Sequence, residues 1–165
     1  RRMTMPAALT IDIAFDDAGW PGPPALEALA RKVLALAWAR ARRRAASEVA
    51  VLFSSDERVR GLNRDFRAQD KPTNVLSFPA GEAPAVLPGP RPLGDIVLAF
   101  ETTSREAGEA GRALEAHAAH LVVHGFLHLL GYDHQDDSQA AQMEREETLI
   151  LAEAGFDDPY RLNHV

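Results

Sequence analysis

The chain contains no cysteine, which excludes disulfides, thiolate metal ligands and a cysteine nucleophile in one step. It has no apolar run of the roughly 18 residues that a bilayer-crossing helix needs, and its first residues show no signal-peptide pattern. The expectation is a cytosolic protein with no membrane partner. Aromatic residues are scarce, at 7%, and lysine is scarcer: of the 18 basic residues only Lys32 and Lys71 are lysines, the rest being arginine. Arginine suits phosphate because its planar fork makes paired hydrogen bonds, but high arginine beside high alanine also follows from genome composition alone. The net charge of −6 excludes a uniformly basic nucleic-acid binder while leaving room for a local basic face. What remains is an ordinary globular composition, 46% apolar and 25% charged over 165 residues, enough for one domain with a proper core.

Histidine is locally abundant. Five of the six histidines fall between residues 117 and 134, and residues 124–134 read HGFLHLLGYDH. On a helix, His124 and His128 stand about 40° apart and roughly 6 Å apart along the axis, close enough to share one ion. His134 would point about 120° away from that pair on an unbroken helix, so the chain must leave the helix to bring it back. Gly131 stands where that turn is needed, as a residue that tolerates positive φ. Two histidines on an apolar helix are by themselves only accommodated side chains; the third, the glycine and the crowding make a metal site. Three neutral imidazoles suit a single Zn²⁺ and leave its fourth position open, the mark of a catalytic rather than a structural ion, and such an ion adds positive charge at the site itself.

His117 and His120 lie on the same helical stripe, so spacing alone also permits His120 as a ligand. The set His124, His128 and His134 is preferred because only that choice uses the Gly131 turn; His117 and His120 then stand behind the ligands or at the surface. Asp133 is read as a hydrogen-bond partner of a ligand ring or of the turn, with a general-base role as the alternative. The spacing HxxxHxxGxxH is also that of a zinc-protease helix, but Gly125 stands where those enzymes carry their general-base Glu, which argues against peptide hydrolysis by that route.

The rest of the chain supplies a scaffold. Alternation predicts strands over 10–14, 48–53, 74–78 and 95–100. Helical periodicity predicts helices over 24–43, 56–67, from about 103 with a break near Gly108 and Gly111, over 113–130, and over 139–154 ending at Gly155. Ser54 with Glu57, and Thr103 with Glu106, have capping-box spacing. Arg60, Arg64 and Arg67 form a stripe on the second helix, either a solvated face or a track for a nucleic-acid backbone; residues 40–44 hold four arginines with the same two readings. Residues 81–92 are proline-rich and read as an exposed loop, and His164 as an exposed terminal residue. The expected fold is α+β: one domain over 1–165, with 1–8 a frayed lead, built as a small mixed sheet of about four strands with helices packed on it and the histidine helix at its centre.

HGFLHLLGYDH with its lead-in AHLVVH, together with DKPTNVLSFP (70–79) and LGDIVLAFE (93–101), resembles the motif set of the YbeY family, the bacterial rRNA-maturation metallo-endoribonucleases. The likeness runs from about residue 49 to residue 160, with the three stretches in the family's order. It agrees with His124, His128 and His134 as ligands of one Zn²⁺ and implies that Arg67, in RAQDKPTNVLSFP, is the family's functional arginine. It implies a zinc-dependent, single-strand-specific endoribonuclease acting on ribosomal RNA and ribosomal particles, in 3′-end processing of small-subunit 16S rRNA and ribosome quality control, with no DNA substrate. Two alternatives stand beside it: a zinc peptidase lacking the usual Glu, and a non-catalytic ribosome assembly factor with structural zinc.

Overall fold

The computed structural model describes residues 8–43, 45–80, 93–133 and 135–160. The proline-rich stretch 81–92, residues 1–7 of the expected lead, Arg44, His134 and His164, all of which carry expectations, lie outside the described residues; Ala8, the last residue of that lead, accepts from the Ser47 amide at 3.0 Å. The element order is β1 (Leu9–Phe15), α1 (Pro23–Ala41), β2 (Ser47–Ser54), α2 (Asp56–Arg67), β3 (Val75–Pro79), β4 (Gly94–Ala99), α3 (Phe100–Ala110), α4 (Leu114–Leu129) and α5 (Asp137–Glu153). The strands form one mixed sheet in the order β1-β2-β4-β3. β1, β2 and β4 run parallel, and β3 pairs antiparallel with β4 at the edge. This is the α+β single-domain architecture that the pattern predicts, with each element within a few residues of its expected span.

Strand alternation sorts the side chains into two cores. Val49, Val51, Phe53, Ile96 and Leu98 face a cluster with α1, α4 and α5. Leu52, Val97, Ala99 and Phe78 face the opposite way, onto Val59, Leu62 and Phe66 of α2. Helix α4 is buried over most of its circumference, from Ala118 to Leu127, and packs on α1, α3, α5, β3 and β4. A helix enclosed on that many sides holds its side chains in fixed rotamers, a rigid platform for a site.

The helix starts depart from expectation. Ser54 does not cap α2; it is the last residue of β2 and buried, and its carbonyl receives the Trp20 indole N–H at 2.9 Å. The cap is Ser55, whose hydroxyl accepts from the Arg58 amide at 3.1 Å. Of two adjacent serines, only the one beyond the strand has its side chain available. Thr103 and Glu106 do not cap α3 either, because that helix begins at Phe100, directly after β4. Its first turn is capped from another helix. Asp56 accepts from the Thr102 amide (2.9 Å) and hydroxyl (2.7 Å), while Glu101 accepts from the Asp56 amide (2.9 Å). The two N-termini thus satisfy each other's orphan donors. The break after α3 comes at Gly111, with φ 66°, and Gly108 stays helical.

The end of α4 follows the predicted turn. Gly131 has φ 106°, and the Tyr132 amide reaches back to Leu127 O at 3.0 Å, the six-to-one bond of a Schellman ending. Arg43, from the arginine-rich tail of α1, donates to Leu130 O at 2.7 Å, and Arg40 makes a two-pronged pair with Glu146 at 3.0 Å. Two of the three described members of that arginine cluster, Arg40 and Arg43, therefore tie α1 to its neighbours, while Arg42 forms its left-handed C-cap with φ 53°.

Candidate functional site

His124 and His128 project from the last turns of α4 into an open cleft of about 720 Å³, whose lining also includes Arg67, Asn74, Ser77 and Asp133. The chain meets there from three directions: the end of α2, the edge strand β3 with its lead-in, and the Gly131 turn. Of the predicted site residues, the structure brings Arg67, His124 and His128 to one surface. The third predicted ligand, His134, lies outside the described residues.

The two rings lie nearly perpendicular, with centroids 4.6 Å apart, and each is held through its Nδ1. His124 Nδ1 is 2.6 Å from Glu147 Oε2, and His128 Nδ1 is 3.0 Å from the backbone oxygen of Tyr132. A carboxylate and a carbonyl only accept, so each Nδ1 must be the donor. In the neutral rings each Nε2 then carries a lone pair rather than a proton, and the two Nε2 atoms face each other at 3.2 Å. Two Zn–N bonds of about 2.0–2.1 Å meeting at a tetrahedral angle would set their nitrogens roughly 3.3–3.4 Å apart. Donor type, tautomer and spacing fit one small dication.

Glu147 is the site residue that the sequence reading missed. It is 0% exposed, while the His124 side chain is 27% exposed, so water reaches the ring from the cleft and not the carboxylate behind it. Glu147 also accepts from His120 Nε2 at 2.8 Å and from the Tyr160 hydroxyl. Burial by itself pushes this carboxyl upward, but the hydrogen bonds from His120, His124 and Tyr160 outweigh it and hold the group at about 2. Burial and the same contact with Glu147 push the Tyr160 phenol far above its ordinary value. A signal was available in the pattern: Met143, Glu147, Ile150 and Leu151 are the buried stripe of α5, and a carboxylate at helical spacing among three apolar residues needs a buried partner.

His120 stands directly behind His124, as expected. His117 sits further back, its Nε2 2.9 Å from Glu106; burial lowers its pKa, against the opposing pull of Glu106. Glu106 also accepts from the side-chain amide of Asn74 at 3.0 Å.

The arginine stripe divides. Arg60 forms an exposed pair with Asp70 at 2.7 Å, and Arg64 with Asp65 at 3.1 Å. Arg67 turns inward: its guanidinium carbon lies 4.7 Å from the centroid of the Phe78 ring, and Nη2 donates to Ser77 O at 2.8 Å. A continuous track for a phosphate backbone is therefore absent among these three, and Arg67 alone of them reaches the cleft.

Gly125 explains why α4 can lie so close to the sheet. A Cβ there would fall 2.9 Å from both Ile96 Cγ2 and Ser77 Oγ, and Ser77 Oγ donates to the Gly125 carbonyl at 2.9 Å. A glutamate at this position would drive into β3 and β4, so the protease arrangement has no room for its general base.

Among the described residues, no helix is long and apolar enough to cross a membrane. The model of the endoribonuclease YbeY family matches residues 21–155. A relative from Chelativorans sp. (strain BNC1), named endoribonuclease YbeY, is 47% identical over 154 residues, covering 93% of this chain and 94% of its own. One of the same name from Sinorhizobium medicae is also 47% identical, covering 93% and 95%. A Thermotoga maritima protein solved in solution shares the fold, with a TM-score of 0.55 at 24% identity over 92% of this chain and 99% of its own. With the family model spanning most of its length and relatives matching it nearly end to end, the chain belongs to the endoribonuclease YbeY family.

Proposed function

We propose that this chain is a zinc-dependent, single-strand-specific endoribonuclease that acts in ribosomal RNA maturation, at the 3′ end of small-subunit 16S rRNA, and in ribosome quality control in the cytoplasm. The observation that carries the reading is the pair of Nε2 atoms of His124 and His128, turned toward each other at 3.2 Å with each Nδ1 held by an acceptor, in a cleft that also holds Arg67. His124, His128 and, by sequence, His134 would hold the ion. When bound, it supplies Lewis acidity toward a phosphoryl oxygen.

The remaining work falls to the chain itself. Arg67, braced by Phe78 and Ser77 O, presents a pre-positioned cation to the scissile phosphate, so little side-chain entropy is lost on binding. Asp133, at the start of the chain's return from the turn, lines the same cleft, where it would hydrogen-bond a ligand ring or the turn, with a general-base role as the alternative. The histidine spacing shared with zinc peptidases is offset by Gly125, whose Cβ position is filled by Ile96 and Ser77.

The test is cleavage of single-stranded and duplex RNA by purified protein, with metal analysis and with chelator. The reading expects zinc in the protein, cutting of the single strand, loss with chelator and loss in His128→Ala. Metal-replete protein that binds ribosomal particles but cuts no RNA would instead favour the assembly-factor reading. Casein cleavage without RNA cleavage would restore the peptidase. End-group analysis identifies the nucleophile: a 2′,3′-cyclic phosphate marks attack by the RNA 2′-hydroxyl.

A further inference from the structure

Glu147 is fully buried and receives three donors drawn from two other parts of the chain: His120 and His124 on α4, and Tyr160 beyond the end of α5. If its purpose were only to join α4 to α5, a pair of apolar side chains would serve at lower cost, because a buried ionised carboxylate is stable only when fully hydrogen-bonded. The arrangement is also uneven. Oε1 takes both His120 and Tyr160, and Oε2 takes His124 at 2.6 Å.

We propose that Glu147, closed off by His120 and Tyr160, is the positioning residue of the metal site: it fixes His124 in the Nδ1–H tautomer and in the ring orientation that turns its Nε2 toward the point His128 also faces. This rests on the zinc reading above and says which residues prepare the ligands. His128 needs no such side chain, because its Nδ1 donates to the Tyr132 backbone oxygen. The two ligands are therefore set by different devices, one by the Gly131 turn and one by a carboxylate from another helix. The hydroxyl of Tyr160 makes the last described segment of the chain a clasp over that carboxylate. An ionised partner on the far ring nitrogen also raises the basicity of a ligating imidazole.

The experiment compares the full chain with Glu147→Gln and Tyr160→Phe. One readout is Zn²⁺ affinity, measured by competition with a chromophoric chelator. The other is the imidazole ¹⁵N shifts of the metal-free protein, which report which nitrogen of His124 carries the proton. Glutamine can donate as well as accept, so it tolerates the tautomer whose Nε2–H points at the ion. Glu147→Gln is expected to weaken zinc binding by about 10–100-fold, as loss of such partners does, and to shift His124 away from the Nδ1–H form. Tyr160→Phe is expected to lose up to about tenfold, the lower end of that range; the residue is 40% exposed, so removing the hydroxyl is expected to leave the fold intact.

Unchanged affinity and unchanged ¹⁵N shifts in Glu147→Gln would overturn the assignment, even if that variant unfolds at lower temperature. Should Glu147→Gln fail to fold, the same two readouts on Tyr160→Phe decide alone. A wild-type chain that binds no zinc would refute the metal reading and this inference together. Wild-type binding with both variants equally tight would refute the inference only.

Discussion

Gly125→Ala inverts an ordinary expectation. In the interior of a helix, replacing glycine by alanine gains about 0.5–1 kcal/mol from reduced backbone freedom in the unfolded chain. Here the new methyl would stand 2.9 Å from Ile96 Cγ2 and 2.9 Å from Ser77 Oγ. Ile96 is fully buried on the central strand β4, and its β-branched side chain has little rotamer freedom. Overpacking of this kind costs about 1–3 kcal/mol. If Ser77 turns aside instead, its 2.9 Å bond to the Gly125 carbonyl is lost, at about 0.5–1.5 kcal/mol. Subtracting the helical gain leaves a net destabilisation of about 1 kcal/mol, and at most about 2.5 kcal/mol. At about 2–4 °C per kcal/mol for a chain of this size, thermal unfolding of the metal-free protein should show a clear drop in Tm. A variant as stable as wild type, or more stable, would refute the close approach of α4 to the sheet and with it the steric argument against a glutamate there.

Arg67→Lys keeps the charge but loses the planar fork and the stacking on Phe78. Cleavage of single-stranded RNA at low substrate should fall by about 10²–10³, the scale for losing a preorganised donor, and near-wild-type rates would remove Arg67 from the chemistry. Zinc in hundredfold excess over its dissociation constant should stabilise the folded chain by about 2.7 kcal/mol, seen as a raised Tm that His128→Ala abolishes; an equal shift in that variant would place the ion elsewhere. The folded Glu147 carboxyl lies at about 2 against its ordinary 4.5. A folded pKa below the unfolded one gives stability that is present above about pH 4.5 and lost as pH falls toward 2, at most roughly 3 kcal/mol. The metal-free wild type should therefore lose denaturant resistance across that window more steeply than Glu147→Gln, and parallel curves would refute the buried ionised state.

Where a feature depends on neighbours in the chain, the sequence was readable. Helix α2 has the span its pattern predicts, Asp56–Arg67, because its apolar stripe and its flanking residues agree. The Gly131 ending was equally plain, since a left-handed position next to an apolar helix has few other uses. Features that depend on distant partners were not visible. α3 is capped by Asp56, 46 residues from Thr102, so the search for a local cap found the wrong residues. Strand order and the antiparallel placement of β3 follow from packing that no period encodes. The same distinction holds in the site: the HxxxH pair was legible from helical geometry, whereas Glu147 and Tyr160 join it only through contacts across 23 to 40 residues.

The guanidinium that reaches the cleft also holds a backbone oxygen of β3, the edge strand of the sheet among the described residues. Exposed sheet margins recruit other chains, and natural proteins guard them with cations and coverings. Shortening residue 67 would thus uncover part of that margin as well as emptying the cleft of a cation. In a living cell such a variant would lower the amount of dispersed protein along with its turnover. Genetic complementation scores at this position must therefore be normalised to the soluble fraction before they are read as chemistry.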